Sequence, residues 1–238
     1  MNESERQPQE AGTEFAELLE SAAKLQEAVP GAVVVGGTAA AFHSRHRISH
    51  DHDHVLMDLR YRYDTILDAV ESLDGWATDP NVSKPPLTIM GELDGFQAGV
   101  RNLRRARPLE VEEHRLPSGR TLRVPTAEEI LRVKAFLASQ RKSVRDFLDV
   151  AAVSDHLGID LAAETLAGLD SYYDPRSDRA PVRTAVERAL ADPRPKDTRT
   201  LDRLADYKGL RPEWTEWSAV VEQCRRVAVA MTRKGDRR

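Results

Sequence analysis

The period of the apolar residues changes at Pro125, and this change constrains the fold of the 238-residue chain more than any other feature. Before Pro125, short β-branched or alternating segments stand between glycine and proline turns, the pattern of strands. After it, apolar residues recur only at helical spacing. A chain of this kind is α+β, with a mixed sheet and helices in its N-terminal half and a helical C-terminal half. The expected division falls at 1–125 and 126–238.

Within the first half, the stripe Phe15, Leu18, Leu19, Ala22, Leu25 and Val29 predicts a helix from about Thr13 to Val29, closed by Pro30-Gly31. Strands are expected at 32–35, 48–56, 87–90, 96–102, 109–116 and 121–124. Helices are expected at 38–46 and 60–73. In the second half, Thr126-Ala127-Glu128-Glu129 has the spacing of a capping box. It opens a series of helices at 126–140, 143–156, 159–168, 182–191 and 212–231.

Composition excludes some classes of function. No apolar run approaches the ~20 residues that span a bilayer, so no membrane role is expected. Residues 1–9 are polar, and Cys224 is the only cysteine, so the expected compartment is the reducing cytoplasm. A net charge of −4 argues against a general nucleic-acid coat. Arg101, Arg104, Arg105 and Arg107 nevertheless form a local basic run, which is either a solvated face or a weak RNA contact.

The segment Ser49-His50-Asp51-His52-Asp53-His54 carries the most chemical information. On a strand, Ser49, Asp51 and Asp53 share one face and His50, His52 and His54 the other. Two carboxylates on one face repel each other, and a divalent cation between them relieves that repulsion. Hard oxygen ligands favour Mg²⁺ or Mn²⁺. Such a pair suits phosphoryl or nucleotidyl transfer from a nucleoside triphosphate (NTP). Gly36-Gly37-Thr38, at a strand-to-helix turn, would bring backbone amides and a helix N-terminus to the phosphates. The competing reading is a zinc or iron hydrolase, but the histidines alternate onto a face without a carboxylate. At least one of them is expected to be a hydrogen-bonded structural residue.

A second constellation lies in the helical half. Lys134 interrupts an apolar stripe, so its ammonium either snorkels or faces an anion. A triphosphate is one such anion. Arg145 and Asp149 are one helical turn apart and are expected to pair, with Asp146 between them.

Taken together, Gly36-Gly37-Thr38-Ala39-Ala40-Ala41, Arg47-x-Ser49-x-Asp51-x-Asp53, Lys134 and Arg145-Asp146-x-x-Asp149 occur in the order seen in the AbiEii/MenT nucleotidyltransferase toxins. The chain resembles that family over roughly residues 33–152, about half its length. The resemblance implies a DNA polymerase β-like nucleotidyltransferase core followed by helices that complete the site. It implies the toxin of a toxin–antitoxin pair, which uses an NTP and Mg²⁺ to modify the 3′ end of tRNA and is countered by a cognate antitoxin protein. By motif position, Gly36, Gly37, Thr38, Ser49, Lys134 and Arg145 would line the nucleotide site. Asp51 and Asp53 would bind metal, and Lys134 with Asp149 or Asp146 would complete the catalytic set. The arginines at 101–107 would then meet tRNA. A small-molecule or protein acceptor, or a non-catalytic binding module, remains open. Two departures from the family pattern stand out. His52 and His54 occupy positions where apolar residues are expected, and a third carboxylate has only Asp94, Glu110 and Glu112 as candidates.

Overall fold

The computed structural model describes residues 3–103, 105, 107–173 and 181–235. In chain order the elements are α1 (Glu3–Ala28), β1 (Val33–Val35), α2 (Gly36–Ser44), β2 (Asp51–Leu56), α3 (Tyr63–Glu71), β3 (Trp76–Thr78), β4 (Thr88–Leu93), β5 (Phe96–Asn102), β6 (Val111–Arg115) and β7 (Thr121–Pro125). Helices follow: α4 (Ala127–Arg141), α5 (Val144–Leu157), α6 (Ile159–Ala167), α7 (Val182–Ala191), α8 (Thr198–Leu201) and α9 (Trp217–Gly235). The fold class is the expected α+β. Several elements differ from the sequence reading: α1 starts at Glu3, ten residues before the expected Thr13, α9 starts at Trp217 instead of 212, and neither β3 nor α8 was anticipated.

The chain forms two compact units. The first comprises Met1–Ala39, Ile48–Arg104 and Pro108–Thr126, and the second comprises Ala40–Arg47, Arg105–Arg107 and Ala127–Arg238. The boundary passes through α2, whose first residues belong to the first unit and whose last belong to the second.

In the first unit, five strands form a mixed sheet in the order β1-β2-β5-β4-β3, and β6 pairs with β7 as a separate hairpin. β2 lies antiparallel to β1 and parallel to β5, whereas β4 is antiparallel to both β5 and β3. One face of the sheet is packed. Leu25 and Val29 from α1 and its end, and Ile66 and Val70 from α3, meet Leu56, Ile89, Leu93, Ala98 and Val100 from the strands. The alternation in β2 sends His52, His54 and Leu56 into this packed side.

The two histidines lie edge to face, with ring centroids 5.3 Å apart. Ser21 donates its hydroxyl to the Leu93 carbonyl, so it accepts from His52 Nε2–H at 3.2 Å, which fixes the tautomer. Among the described residues His52 Nδ1 has no hydrogen-bond partner, and His54 has only the backbone of Ala22 and Gly99 for polar company. Burial, only partly offset by Asp51 and Asp94, pushes His52 down to about 4. Burial, reinforced by His52, drives His54 well below its ordinary value. The expected structural histidine is therefore His52. His50, by contrast, precedes the strand, is exposed, and pairs with Glu14 at 3.0 Å instead of joining the buried pair.

The second unit is all helical. Ser143 caps α5 by accepting from the Asp146 amide, and Gly158, at φ 82°, ends it. Phe147, Leu148, Leu166, Val186, Leu190, Val220, Cys224, Val227 and Met231 fill the interior. Burial raises the Cys224 thiol to about 12, so it is an inert core residue.

The buried histidines set a pH dependence. Both are neutral in the fold and take up protons more readily once unfolded, so their contribution is intact above about pH 6.5 and is lost as pH falls towards 4. For His52 the lowering corresponds to about 3 kcal/mol. Urea unfolding at pH 7.5 and at pH 5 should show a marked drop in stability for the wild type and a smaller drop for His52→Gln. Equal drops in the two proteins would count against this origin.

Candidate functional site

The other face of the first unit's sheet is open. By the pleat and the register, it carries Asp51 and Asp53 from β2, Gln97, Gly99 and Arg101 from β5, and Thr88, Met90 and Glu92 from β4. Asp51, Gln97, Glu92 and Arg101 are exposed, and Asp53 is partly so. The two carboxylates thus share an accessible face, as the alternation predicts.

Each carboxylate is held by a neighbour. Ser49, buried just before β2, donates its hydroxyl to Asp51 Oδ1 at 2.8 Å. Arg101 Nε donates to Asp53 Oδ1 at 3.1 Å. Gly36, the first residue of α2, has φ +73°, which glycine adopts at least cost. A Cβ built on Gly36 would lie 3.9 Å from Asp53 Cβ and 4.0 Å from its Oδ2. The strand-to-helix turn therefore abuts the Asp53 carboxylate, with the positive end of α2 beside it. Thr38 is buried, and its hydroxyl donates to the Asp51 carbonyl, tying the start of α2 to the start of β2. Its side chain is a fastening, and only its backbone could serve a ligand.

The donor set suits a hard divalent cation. Asp51 and Asp53 offer oxygen ligands two residues apart on one strand face, with Ser49 orienting the first. None of the expected candidates supplies a third carboxylate on β5. Asp94 lies in the turn before β5 and pairs with Lys24 at 2.8 Å, and Glu112, on β6, pairs with His114 at 2.9 Å. Glu110 lies outside any strand. Among the described residues no group of three or more histidine, cysteine or acidic side chains could hold a metal. That also leaves no cluster for the zinc or iron reading there.

In the second unit, Asp149 is a hub. Fully buried, it accepts from His46 Nε2 at 2.8 Å and from Arg47 Nε at 3.0 Å, and its other oxygen lies 2.6 Å from Lys134 Nζ. Lys134 also reaches Asp146 at 3.2 Å, and Ser143 donates to the second oxygen of Asp146 at 2.8 Å. The anion that explains a lysine on an apolar stripe is thus present within its own unit. Burial would raise the Asp149 carboxyl, but Arg47, Lys134 and the His46 hydrogen bond outweigh burial and hold it well below the usual carboxylate range. Burial lowers His46 despite its bond to Asp149, so the imidazole is neutral. Two cations and two carboxylates then balance, which is the condition for burying them together.

The expected Arg145–Asp149 pair does not form. Arg145 is exposed on the outer side of α5, 5.4 Å from the Tyr207 ring centroid, while Asp149 points inward to partners over 100 residues away in sequence (His46 and Arg47). Arg101, Arg105 and Arg107 are divided between the two units. Arg101 belongs to the first unit and holds Asp53. Arg104 lies outside the described residues. Arg105 belongs to the second unit, where it is buried against Glu129 at 2.7 Å. Arg107 lies over the Tyr172 ring at 4.5 Å, as does Arg132 at 4.1 Å, and Arg132 also holds Glu129. Arg105 is therefore a structural cation and does not present its charge to a polyanion. Sequence reasoning missed His46 as a site-forming residue, because neither its spacing nor its neighbours signal Asp149.

Comparison with known proteins gives two kinds of likeness. No family model matches the chain. In sequence it is 38% identical over 132 residues to the heme uptake protein MmpL11 of Mycobacterium tuberculosis, covering 54% of this chain and 13% of that protein. It is also 38% identical over 144 residues to the mycolic acid-containing lipids exporter MmpL11 of Mycolicibacterium smegmatis, covering 59% of this chain and 14% of that one. The chain thus spans only a small part of the curated relatives it matches. No helix among the described residues is long and apolar enough to cross a membrane. In structure it is similar to the nucleotidyltransferase toxin MenT4 of M. tuberculosis, with a TM-score of 0.54 and 17% identity, covering 93% of this chain and 82% of that one. A protein of H. pylori solved as a candidate nucleotidyltransferase gives a TM-score of 0.51 and 15% identity, covering 94% and 96%.

Replacing Asp149 by alanine would leave Arg47 and Lys134 buried without their shared counter-charge. The expected cost is about 3–5 kcal/mol. Chemical unfolding of Asp149→Ala beside the wild type measures it, and a loss below about 1 kcal/mol would mean that the hub contributes little. At identities this low the structural likeness speaks for the fold alone, which is similar to that of MenT4 and of the H. pylori protein.

Proposed function

We propose that the chain is a metal-dependent nucleotidyltransferase that moves a nucleotide from an NTP to an acceptor. The observation that carries this reading is the placement of Asp51 and Asp53 on an open sheet face beside the positive end of α2, in a fold similar to that of the nucleotidyltransferase toxin MenT4. Mg²⁺ or Mn²⁺ bound to the two carboxylates would neutralise and orient the triphosphate. Ser49 holds Asp51 in one orientation through its hydroxyl. Gly36 and Gly37 leave the α2 amides open to phosphate oxygens. Lys134 and Asp149 are proposed as residues that activity requires. Asp149 fixes the ammonium of Lys134, and Asp146 shares it.

The likeness to the nucleotidyltransferase toxin MenT4 supports a toxin role. With the motif resemblance to the AbiEii/MenT family, the finer proposal is that the chain is the toxin of a toxin–antitoxin pair, acts in the cytoplasm and modifies tRNA at its 3′ end. Because Arg105 is consumed internally, any RNA contact by the described arginines within 101–107 would fall to Arg107 and Arg101. A second reading is favoured by the 38% match to MmpL11, in which the shared stretch is one part of a much longer transport protein. On that reading the chain is a non-catalytic module that binds a nucleotide or a partner.

One assay separates these readings. Purified protein, Mg²⁺ and each of four labelled NTPs are incubated with total tRNA, alongside Asp51→Ala. Label should enter tRNA with one or more NTPs and fall at least ~100-fold with Asp51→Ala. Label on another acceptor would move the target to a small molecule or a protein. Binding of NTP without transfer to any acceptor would select the non-catalytic module.

A further inference from the structure

The strand beside Asp53, which could carry a third carboxylate, carries a cation instead. β5 runs parallel to β2, with Asp51 opposite Gln97, Asp53 opposite Gly99 and Val55 opposite Arg101. Strand alternation puts Gln97, Gly99 and Arg101 on the same open face as the two aspartates. Between Phe96 and Asn102 there is no acidic residue. Arg101 reaches back one pleat and donates Nε to Asp53 Oδ1 at 3.1 Å. Gly99 helps to make this arrangement possible. A Cβ there would lie 2.5 Å from Met90 Sδ, so Met90 lies across the glycine and floors the face next to Asp53.

The guanidinium is only partly engaged. Its side chain is 44% exposed and that of Asp53 is 32% exposed. Nε is bonded to the carboxylate, while Nη1 and Nη2 have no hydrogen-bond partner among the described residues. Two adjacent N–H donors on a planar cation match two oxygens of a phosphate. Arginine keeps its charge at any working pH and is weakly hydrated, so it serves as a fixed positive charge. The charge balance also limits metal binding. Before nucleotide binds, Asp51, Asp53 and Arg101 sum to one negative charge, which one divalent cation overcomes, and among the described residues no third acidic group joins the two aspartates in a cluster that could hold a metal.

We propose that Arg101 is a triphosphate-contact residue that stands in place of a second metal ion, so that the site takes a single divalent cation. This rests on the nucleotidyltransferase reading of Asp51 and Asp53. Arg101 grips Asp53 with Nε and presents Nη1 and Nη2 to the phosphates, and it also competes with the metal for Asp53 in the absence of nucleotide.

The test counts metal and measures nucleotide binding separately from turnover. Mn²⁺ is titrated into the full chain with and without a non-hydrolysable NTP analogue, using electron paramagnetic resonance to count bound ions and calorimetry for analogue affinity. The wild type should bind one Mn²⁺ per chain in the presence of the analogue. Arg101→Gln should bind Mn²⁺ alone more tightly, because its competitor is gone, and should bind the analogue about ten- to a hundredfold more weakly. Arg101→Lys keeps the charge but loses the fork, so its analogue affinity should lie between the two. Arg101→Asp should bind a second Mn²⁺. Two Mn²⁺ on the wild type, or unchanged analogue affinity in Arg101→Gln, would overturn the Arg101 proposal while leaving the carboxylate site in place, provided Asp51→Ala abolishes Mn²⁺ binding. Mn²⁺ and analogue binding that are absent from the wild type, or indifferent to Asp51→Ala, would overturn both readings.

Discussion

The two-residue alternation along β2 is the constraint on which the candidate site depends. His52, His54 and Leu56 are driven into the packed face beneath α1 and α3, and this leaves Asp51 and Asp53 no choice but the open face. A slip of one residue in the pairing with β5 would bury two carboxylates in an apolar core and expose two histidines. The register is therefore enforced by the cost of burying charge as well as by the gain from burying Leu56 and its neighbours. Histidine on the inner face is a compromise. It fills the space of an aromatic residue and can be buried neutral, but among the described residues His52 Nδ1 lacks a partner there. Ser21 is what makes His52 tolerable, since its hydroxyl serves the ring and the Leu93 carbonyl at once.

The second unit solves a different electrostatic problem. Its buried charges come from residues far apart in the chain: Arg47 and His46 after α2, Lys134 on α4, and Asp146 and Asp149 on α5. Such a cluster contributes little net stability compared with apolar packing, because desolvation consumes most of the Coulombic gain. Its effect is specificity of arrangement. The ammonium of Lys134 sits between two carboxylates whose own positions are fixed by Ser143, Arg47 and His46, so it has one well-defined place. For a group proposed to be needed for activity, a single defined position matters more than a large stabilisation.

The two likenesses of this chain describe different things. The structural likeness to MenT4 runs over 93% of the chain, and the sequence likeness to MmpL11 over 54% of it. Fold and function are separable, and the same scaffold can be catalytic in one setting and a binding module in another. What distinguishes the two outcomes is local. A catalytic site requires exposed carboxylates kept in a fixed relation to a phosphate-binding turn. Here Asp51 is exposed and oriented by Ser49, and Asp53 lies against the Gly36 turn.

How far the sequence could be read follows from the range of the forces involved. Period and turn chemistry are local, so α4 to α7 and α9, the β6–β7 hairpin around Pro117-Ser118-Gly119 and the glycine at the start of α2 were legible, whereas the four-residue α8 was not. β3 was not, because three residues between Gly75 and Asp79 are too few to display a period, and the strand exists only through its pairing with β4. The choice of partner by a charged side chain was the least legible feature. For Asp149 the local rule offers Arg145, one turn away, and that rule holds for exposed helix surfaces. Once the apolar residues of α5 decide which side of the helix is buried, Asp149 goes inward with Phe147, Leu148 and Val150 while Arg145 stays out, and the ion pair is settled by packing before charge is considered. Arg101 follows the same logic on a sheet. In sequence it reads as the first of a basic run, but the pairing of β5 with β2 assigns it to Asp53, and a residue read as surface charge becomes part of the carboxylate site.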